Sequence, residues 1–185
     1  AAKQWGDRDG SSMKGLGANT KLTYAFNDEH KSQVFCGYEY LSGDDPSTSA
    51  SEKFDTLWGD WPQTQRGGDL QSYIWTAEGA LGEVANLHRF GVGHSFMPSP
   101  VWTVLSQYNL LWADENPGAK WPLTSPQYSE DGKFRGQMLS GIATYSCCKN
   151  FKTHFMLDYF IPGGYYDKST NDNAFFARVN IEWTF

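Results

Sequence analysis

The sequence predicts an all-β protein, an antiparallel transmembrane β-barrel, and three observations lead to this fold class. The last twelve residues, AFFARVNIEWTF, alternate between an apolar and a polar face and end on phenylalanine. Six earlier segments alternate in a similar way. The connections between the seven segments are alternately short and long, which is typical of barrels with short periplasmic turns and long outer loops.

The terminal segment Ala174–Phe185 has the pattern of a strand between two solvents. Its two faces consist of Phe175, Ala177, Val179, Ile181, Trp183 and Phe185, and of Phe176, Arg178, Asn180, Glu182 and Thr184. A tilted strand needs about 9–11 residues to cross a bilayer, whereas strands of soluble proteins have a typical length of about 5–6 residues. We therefore expect the first face to contact lipid.

Six further segments are predicted to span the membrane, because alternate positions in each form one mainly apolar and one mainly polar set. They are Gly15–Phe26, Gln33–Ser42, Val84–Phe96, Val101–Ala113, Phe134–Ser146 and Lys152–Ile161. With the terminal strand, the chain is expected to contribute about seven spanning strands.

The lengths of the connections predict the orientation of the strands. The expected periplasmic turns are Asn27–Ser32, Met97–Pro100 and Cys147–Phe151, and the expected outer loops are Gly43–Glu83, Asp114–Lys133 and Pro162–Asn173. The segment Leu70–Thr76 is interpreted as a strand-like excursion within the first long loop, since a further spanning strand would break the alternation. The C-terminus is then expected on the periplasmic side of a bacterial outer membrane.

Seven strands do not make a complete bacterial barrel, because these barrels have even strand numbers. An open sheet edge in lipid would leave backbone amides unpaired, which costs several kcal/mol for each group. We therefore expect residues 1–185 to be the C-terminal part of one larger barrel. Its expected partners are outer-membrane lipid and either upstream strands or other chains that close the barrel.

The composition argues against two other classes of protein. The 185 residues carry a formal charge of −6, and the pattern of charges suggests no basic groove, so a nucleic-acid partner is not expected. The chain also has no run of about 18 apolar residues, so no spanning helix is predicted.

No chemical motif predicts an enzyme, a cofactor or a metal site. Cys147 and Cys148 are adjacent, whereas zinc sites use spacings such as C-x₂-C. Ser95 and Ser146 lie outside any G-x-S-x-G motif, and the four histidines are scattered. We therefore expect no catalytic residue, no cofactor and no bound metal.

Polar side chains of the alternating strands are the candidate functional residues, because charges that face the lumen set the selectivity of a channel. The predicted pore-lining residues are Lys21, Glu39, Arg89, Gln107, Asn109, His154, Asp158, Arg178 and Glu182. The alternative, open above all for Arg178 and Glu182, is a structural ladder in which opposite charges pair across strands.

Aromatic residues of the first long loop are candidates for the pore mouth. The predicted mouth residues are Trp58, Trp61, Tyr73 and Trp75, which could stack on sugars. The alternative is a lid whose aromatic side chains pack against each other.

Several motifs resemble the alginate-export-like family of bacterial outer-membrane barrels. They are FDTLWGDW (Phe54–Trp61), NLHRFGVGHSFMP (Asn86–Pro98), YNLLWADE (Tyr108–Glu115), DYFIPGGYY (Asp158–Tyr166) and the terminal strand. The resemblance implies a large monomeric barrel that passes an anionic polysaccharide or small solutes and has no enzyme chemistry. An alginate conduit is expected to have a cationic lumen, whereas the charged candidates here are three cations and three anions.

Taken together, these patterns predict an outer-membrane channel, porin-like or polysaccharide-export-like, for passive passage of polar solutes or acidic saccharides. An alternative is a barrel scaffold that anchors or sheathes a multiprotein complex in the outer membrane. A secreted, sugar-binding β-sandwich is a third possibility, which would stay soluble without detergent.

Overall fold

The computed structural model describes residues 1–8, 10–55, 85–116, 128–169 and 171–185, and these residues form strands, turns and irregular segments. Val84 and the segment Leu70–Thr76 lie outside the described residues. Within the described ranges, no helix has the length and apolarity needed to span a bilayer.

Ten strands are present in the described residues. They are β1 (Ala2–Lys3), β2 (Gly6–Arg8), β3 (Ser11–Met13), β4 (Leu16–Ala25), β5 (Gln33–Leu41), β6 (Leu87–Ser99), β7 (Trp102–Trp112), β8 (Phe134–Cys148), β9 (Phe151–Pro162) and β10 (Ala174–Trp183). Strands β4 to β10 correspond to the seven predicted spanning segments.

The main sheet is an antiparallel meander with the order β1-β4-β5-β6-β7-β8-β9-β10, and β2 and β3 form a separate two-stranded sheet. The prediction of an all-β, antiparallel fold is confirmed. The sheet is open, since β4 and β10 do not pair with each other in the described part of the chain.

The strand ends differ slightly from the expected ones. Strand β6 continues to Ser99 and β7 begins at Trp102, so most of the predicted turn Met97–Pro100 lies in a strand. The ladder between β6 and β7 shifts register between Phe96 and Ser99. Pro98 lies in this interval, and a proline has no N–H for a ladder bond. A register shift therefore lets the strand continue through the proline.

The connection that begins after β5 folds back on the N-terminal residues. Ser42 N donates to Leu16 O at 2.9 Å, and Phe54 N donates to Ser42 O at 3.0 Å. Asp55 N donates to Gln4 Oε1 at 2.8 Å. These contacts hold residues 42–55 against the beginning of β4, at the end of the sheet where the long connections leave.

Candidate functional site

The strand register places all nine predicted pore-lining residues on one face of the sheet, which we call the polar face. Glu39 lies opposite Arg89, and Gly91 opposite Asn109. Since side chains alternate along a strand, the register assigns the remaining residues to the same face. These assignments follow from the register pairs Lys21–Gly37, Gln107–Ser140, Ser140–Asp158, Met156–Arg178, His154–Asn180 and Lys152–Glu182.

An ion pair lies at the centre of this group. The Arg89 guanidinium donates a short hydrogen bond to the Glu39 carboxylate, and the two side chains are only 10% and 13% exposed. Charges removed from water in this way stabilise a fold only when each has its partner. The structural ladder considered from the sequence is therefore present for Glu39 and Arg89.

A cavity of about 700 Å³ lies beside this ion pair. Its walls include five of the predicted pore-lining residues, namely Lys21, Glu39, Arg89, Gln107 and Asn109. Residues from each of the strands β4 to β8 border it. Because these five strands share one cavity, the sheet must curve towards its polar face.

Asn109 is the most enclosed polar residue of this cavity. It is fully buried, and its Oδ1 accepts a hydrogen bond of 2.7 Å from Gln107 Nε2. Its Nδ2 has no hydrogen-bond partner among the described residues. Gly91, directly across the ladder, leaves room for this amide, because a Cβ there would lie 2.6 Å from Asn109 Oδ1.

The other predicted residues lie apart from the cavity. Arg178 Nη2 is 3.3 Å from His154 Nε2, so these two side chains contact each other. Asp158 is 1% exposed and lies opposite Ser140 and Phe176. Glu182 lies opposite Lys152 near the end of β10. The predicted set is thus divided into a cavity group and a group towards β10.

Two cations of the polar face were missed from the sequence. Lys152 belongs to it because it lies opposite Glu182. Arg135 is the additional residue of a β-bulge in β8, at the point where the register with Leu111 and Trp112 of β7 shifts. Its Cζ lies 5.0 Å from the ring centroid of Tyr165. The charged side chains of this face are Lys21, Arg89, Arg135, Lys152 and Arg178, against Glu39, Asp158 and Glu182. Five cations minus three anions leave a formal charge of +2 instead of zero.

Near the long connections, the polar face carries an apolar cluster, although most positions of this face are polar. Leu87, Met138 and Phe160 are between 0% and 4% exposed. Among the described residues, the cluster consists of Leu87, Leu111, Ala113, Met138, Phe160, Tyr165 and Tyr166, with Leu41, Tyr128, Ala174 and Phe176 packed against it. Each cluster member within a strand lies either two residues from Glu39, Arg89, Asn109, Asp158 or Arg178, or directly opposite another residue of the polar face. These members therefore share that face.

Tyr165 and Tyr166 come from the connection between β9 and β10, so a predicted outer loop contributes to the buried cluster. Tyr165 N donates to Phe134 O, and Ser129 N donates to Tyr165 O, both at 2.9 Å. The connections after β7 and β9 are therefore joined over this end of the polar face. The predicted mouth residues Trp58, Trp61, Tyr73 and Trp75 lie outside the described residues.

The opposite face, which we call the apolar face, exposes large hydrophobic side chains on every strand from β4 to β10 except β7. Leu22, Leu157 and Ile181 are 73%, 54% and 67% exposed. The exposed large hydrophobic side chains of this face in the described strands β4 to β10 are Leu16, Leu22, Tyr24, Val34, Tyr38, Phe90, Val92, Leu139, Phe155, Leu157, Tyr159, Ile161, Phe175, Val179, Ile181 and Trp183. A monomer in water rarely exposes an apolar area of this extent.

A row of aromatic rings crosses the apolar face near the short turns. Ring centroids are 4.9 Å apart for Trp102 and Tyr145, 6.5 Å for Tyr145 and Phe151, and 5.7 Å for Phe151 and Trp183. The row thus runs from β7 to β10 without interruption.

A second aromatic row crosses the same face near the long connections. Tyr40, His88 and Trp112 are consecutive partners across β5, β6 and β7. The Tyr40 and His88 rings are 4.7 Å apart, and Trp112 and Phe134 are 5.4 Å apart. Both rows include residues of β7 and β8, and on β8 the exposed Leu139 lies between Phe134 and Tyr145.

Comparisons with known proteins add no assignment. No protein-family model matches the chain, and no curated protein matches its sequence. The resemblance of the motifs to alginate-export-like barrels stays a prediction.

Proposed function

We propose that this chain forms one side of a bacterial outer-membrane β-barrel whose polar face lines a passage for polar or acidic solutes. The observation that carries the proposal is the apolar face, with its exposed hydrophobic side chains and an aromatic row near each end. Outer-membrane barrels have an outward apolar band about 25 Å tall, with aromatic girdles at both interfaces.

The spacing of the two rows supports this proposal quantitatively. Strand β7 begins at Trp102, in the first row, and ends at Trp112, in the second. Ten residue steps at about 3.4 Å give about 34 Å along the strand. A tilt of about 40–45° reduces this to about 25 Å along the membrane normal, which matches the apolar band of such barrels. Strands β4 to β10 contain between 9 and 15 residues, enough to span it.

The free edges of the sheet require further strands in such an environment. Strand β4 pairs with β1 only at Leu16 and Gly17, and β10 ends the order of the sheet. In hydrocarbon, each unpaired backbone group of an edge strand costs several kcal/mol. We therefore expect additional strands, from the same polypeptide or from other chains, to pair with both edges and close the barrel.

The polar face has the chemistry of a conduit for hydrated solutes. Its cavity combines the Lys21 ammonium, side-chain amides and a buried ion pair. The formal charge of +2 on its described strands favours anions over cations, because rings of lumen charge bias the sign of the permeating ion. Acidic saccharides would fit this bias, and Lys21, which is exposed and borders the cavity, is the residue expected to contribute most.

A scaffold function is the second candidate, and the apolar cluster favours it. Leu87, Met138, Phe160 and Tyr165 are almost fully buried on the face that would surround a lumen. In a closed barrel, this cluster would obstruct part of the outer end. A barrel obstructed completely would serve as an anchor instead of a channel.

Membrane location is the first test of the proposal. The full-length protein is expected in the outer-membrane fraction, to require detergent for extraction, and to migrate differently on gels before and after boiling. A protein that stays soluble without detergent would refute the barrel and leave the sugar-binding sandwich.

Conductance in planar bilayers separates the channel from the scaffold. A channel gives stepwise openings, and Lys21→Glu is expected to shift the reversal potential towards cation selectivity. Lys149→Glu, in the turn between β8 and β9, makes the same change of charge outside the strands and is the matched control. Absence of openings would support the scaffold, and equal reversal potentials for all three proteins would remove Lys21 from the conducting path.

A further inference from the structure

Two adjacent thiols face the same direction at the short-turn end of β8. In a regular strand, neighbouring side chains point to opposite faces. Here the register between β8 and β9 shifts between Ser146 and Cys148, so Cys147 is the additional residue of a β-bulge. Bulges re-aim side chains, and this one brings Cys147 Sγ within 3.7 Å of Cys148 Sγ. Both residues are exposed.

The separation of the two sulfur atoms matches two ligands of one tetrahedral metal ion. With a Zn–S bond of about 2.3 Å, two thiolates at the tetrahedral angle are about 3.75 Å apart. A disulfide suits the pair less well, since disulfides usually join Cα atoms at least about 4.4 Å apart. Cα atoms joined by one trans peptide are only about 3.8 Å apart.

Neighbouring donors stabilise the thiolate form of Cys148. The backbone N–H groups of Asn150 and Phe151 donate hydrogen bonds to the Cys148 sulfur, whereas desolvation and then the contact with Cys148 raise the pKa of Cys147. The thiolate is the form that binds metal ions. The bulge therefore supplies the spacing that a chelating pair requires, and the turn stabilises one of its two thiolates.

We propose that Cys147 and Cys148 form a two-thiolate site for a thiophilic divalent cation of the zinc and cadmium class. On binding, each thiol releases one proton to solvent and forms one metal–sulfur bond, without any change of oxidation state. No group of three or more potential His, Cys, Asp or Glu ligands gathers in the described residues, so water completes the coordination. The site is independent of the proposed passage, because it lies at the short-turn end of β8 and does not line the polar-face cavity.

The test is a titration of the full-length protein in detergent, reduced with a phosphine, with Cd(II), followed by its thiolate charge-transfer absorption. One ion per chain is expected. Loss of a hydrogen-bond partner of a metal ligand already lowers metal affinity by about 10–100-fold, so Cys147→Ser and Cys148→Ser should each weaken binding by more than about tenfold. Cys36→Ser is the matched control, because Cys36 lies on the apolar face opposite Leu22 and Val92.

The three variants distinguish a dithiol site from Cd(II) binding elsewhere on the protein. Unchanged Cd(II) binding in Cys36→Ser, with loss in both Cys147→Ser and Cys148→Ser, supports the dithiol. Equal binding in all three variants would overturn it. A protein in which Cys147 and Cys148 form a disulfide that reforms after reduction, leaving one titratable thiol, would also overturn it.

Discussion

His88 Nε2 lies 3.1 Å from Asp114 Oδ1, which ties the beginning of β6 to the residues that follow β7. Asp114 Oδ2 also accepts hydrogen bonds from the Tyr40 hydroxyl at 3.1 Å and from Gly43 N at 2.9 Å. The Tyr38 hydroxyl lies 2.6 Å from His88 Nδ1. One carboxylate therefore links the ends of β5, β6 and β7 where the long connections leave the sheet.

Asp114→Asn is expected to lower the free energy of unfolding by about 1–3 kcal/mol, because donors that are partly buried lose an acceptor. Asp131→Asn, at an exposed position of the same connection, should change it by less than about 0.5 kcal/mol. Denaturant titration in detergent measures both changes. Equal stabilities of the two variants would show that the Asp114 contacts contribute little.

Arg89 and Glu39 should depend on each other for stability. Arg89→Met leaves a carboxylate that is largely buried without its main partner, at a cost of about 3–5 kcal/mol. The double variant Arg89→Met/Glu39→Met replaces both charges and should be more stable than Arg89→Met. A double-mutant cycle on unfolding free energies measures this coupling, and additive effects would contradict it. Arg89→Glu is a poor test of selectivity, since it places two carboxylates opposite each other.

The backbone conformation next to the bulge at Arg135 in β8 requires glycine at position 136. The φ of Gly136 is +139°, and a Cβ there would lie 2.3 Å from Ile161 O. Gly136→Ala is therefore expected to lower the unfolding free energy by at least about 1–3 kcal/mol. Gly141→Ala is the matched control on the same strand, because a Cβ there meets nothing within 4 Å. If both variants unfold at the same denaturant concentration, the bulge does not need glycine.

Asp28 caps the turn between β4 and β5, and its pKa is lowered from 3.8 chiefly by the backbone N–H of Ser32 and next by the Ser32 hydroxyl. A lowered pKa in the folded state means that the ionised carboxylate stabilises the turn above the unfolded value. This contribution is lost as the pH falls through the folded pKa. In a carboxyl NMR titration, Ser32→Ala should raise the pKa of Asp28 part of the way back, since the backbone donor remains. No upward shift would contradict the role of the hydroxyl.

Alternation along the strands was sufficient to predict β4 to β10 and the shared face of Glu39, Arg89 and Asp158, because one side of each strand is consistently more apolar. It could not predict the apolar cluster. Leu111 and Phe160 lie among apolar neighbours in NLLW and YFIP. Residues of both faces are hydrophobic there, so alternation does not show which face is buried. Tyr165 falls in a predicted outer loop, and its packing partners are too distant in sequence for alternation to reveal them.

Arg135 shows a different limit of the same reasoning. A bulge inserts one residue into a strand, so counting by two assigns the wrong side to the residues beyond it. The signal in the sequence is Gly136, whose lack of a Cβ allows its positive φ. The Arg135-Gly136 pair at the beginning of β8 is therefore the place where a bulge turns the arginine towards the polar face.

Because every main-sheet pair from β4 to β10 joins consecutive strands, the lengths of the connections set the order in which hairpins can close. Residues 42–86 separate β5 from β6, whereas two residues separate β8 from β9. The entropy lost on closing a loop rises with the logarithm of its length, so the β5–β6 ladder is the slowest to form. The β4–β5 hairpin is therefore expected to dock late onto an already assembled β6–β10 unit. Until then, a nascent chain would expose the edge of β6 that later pairs with β5.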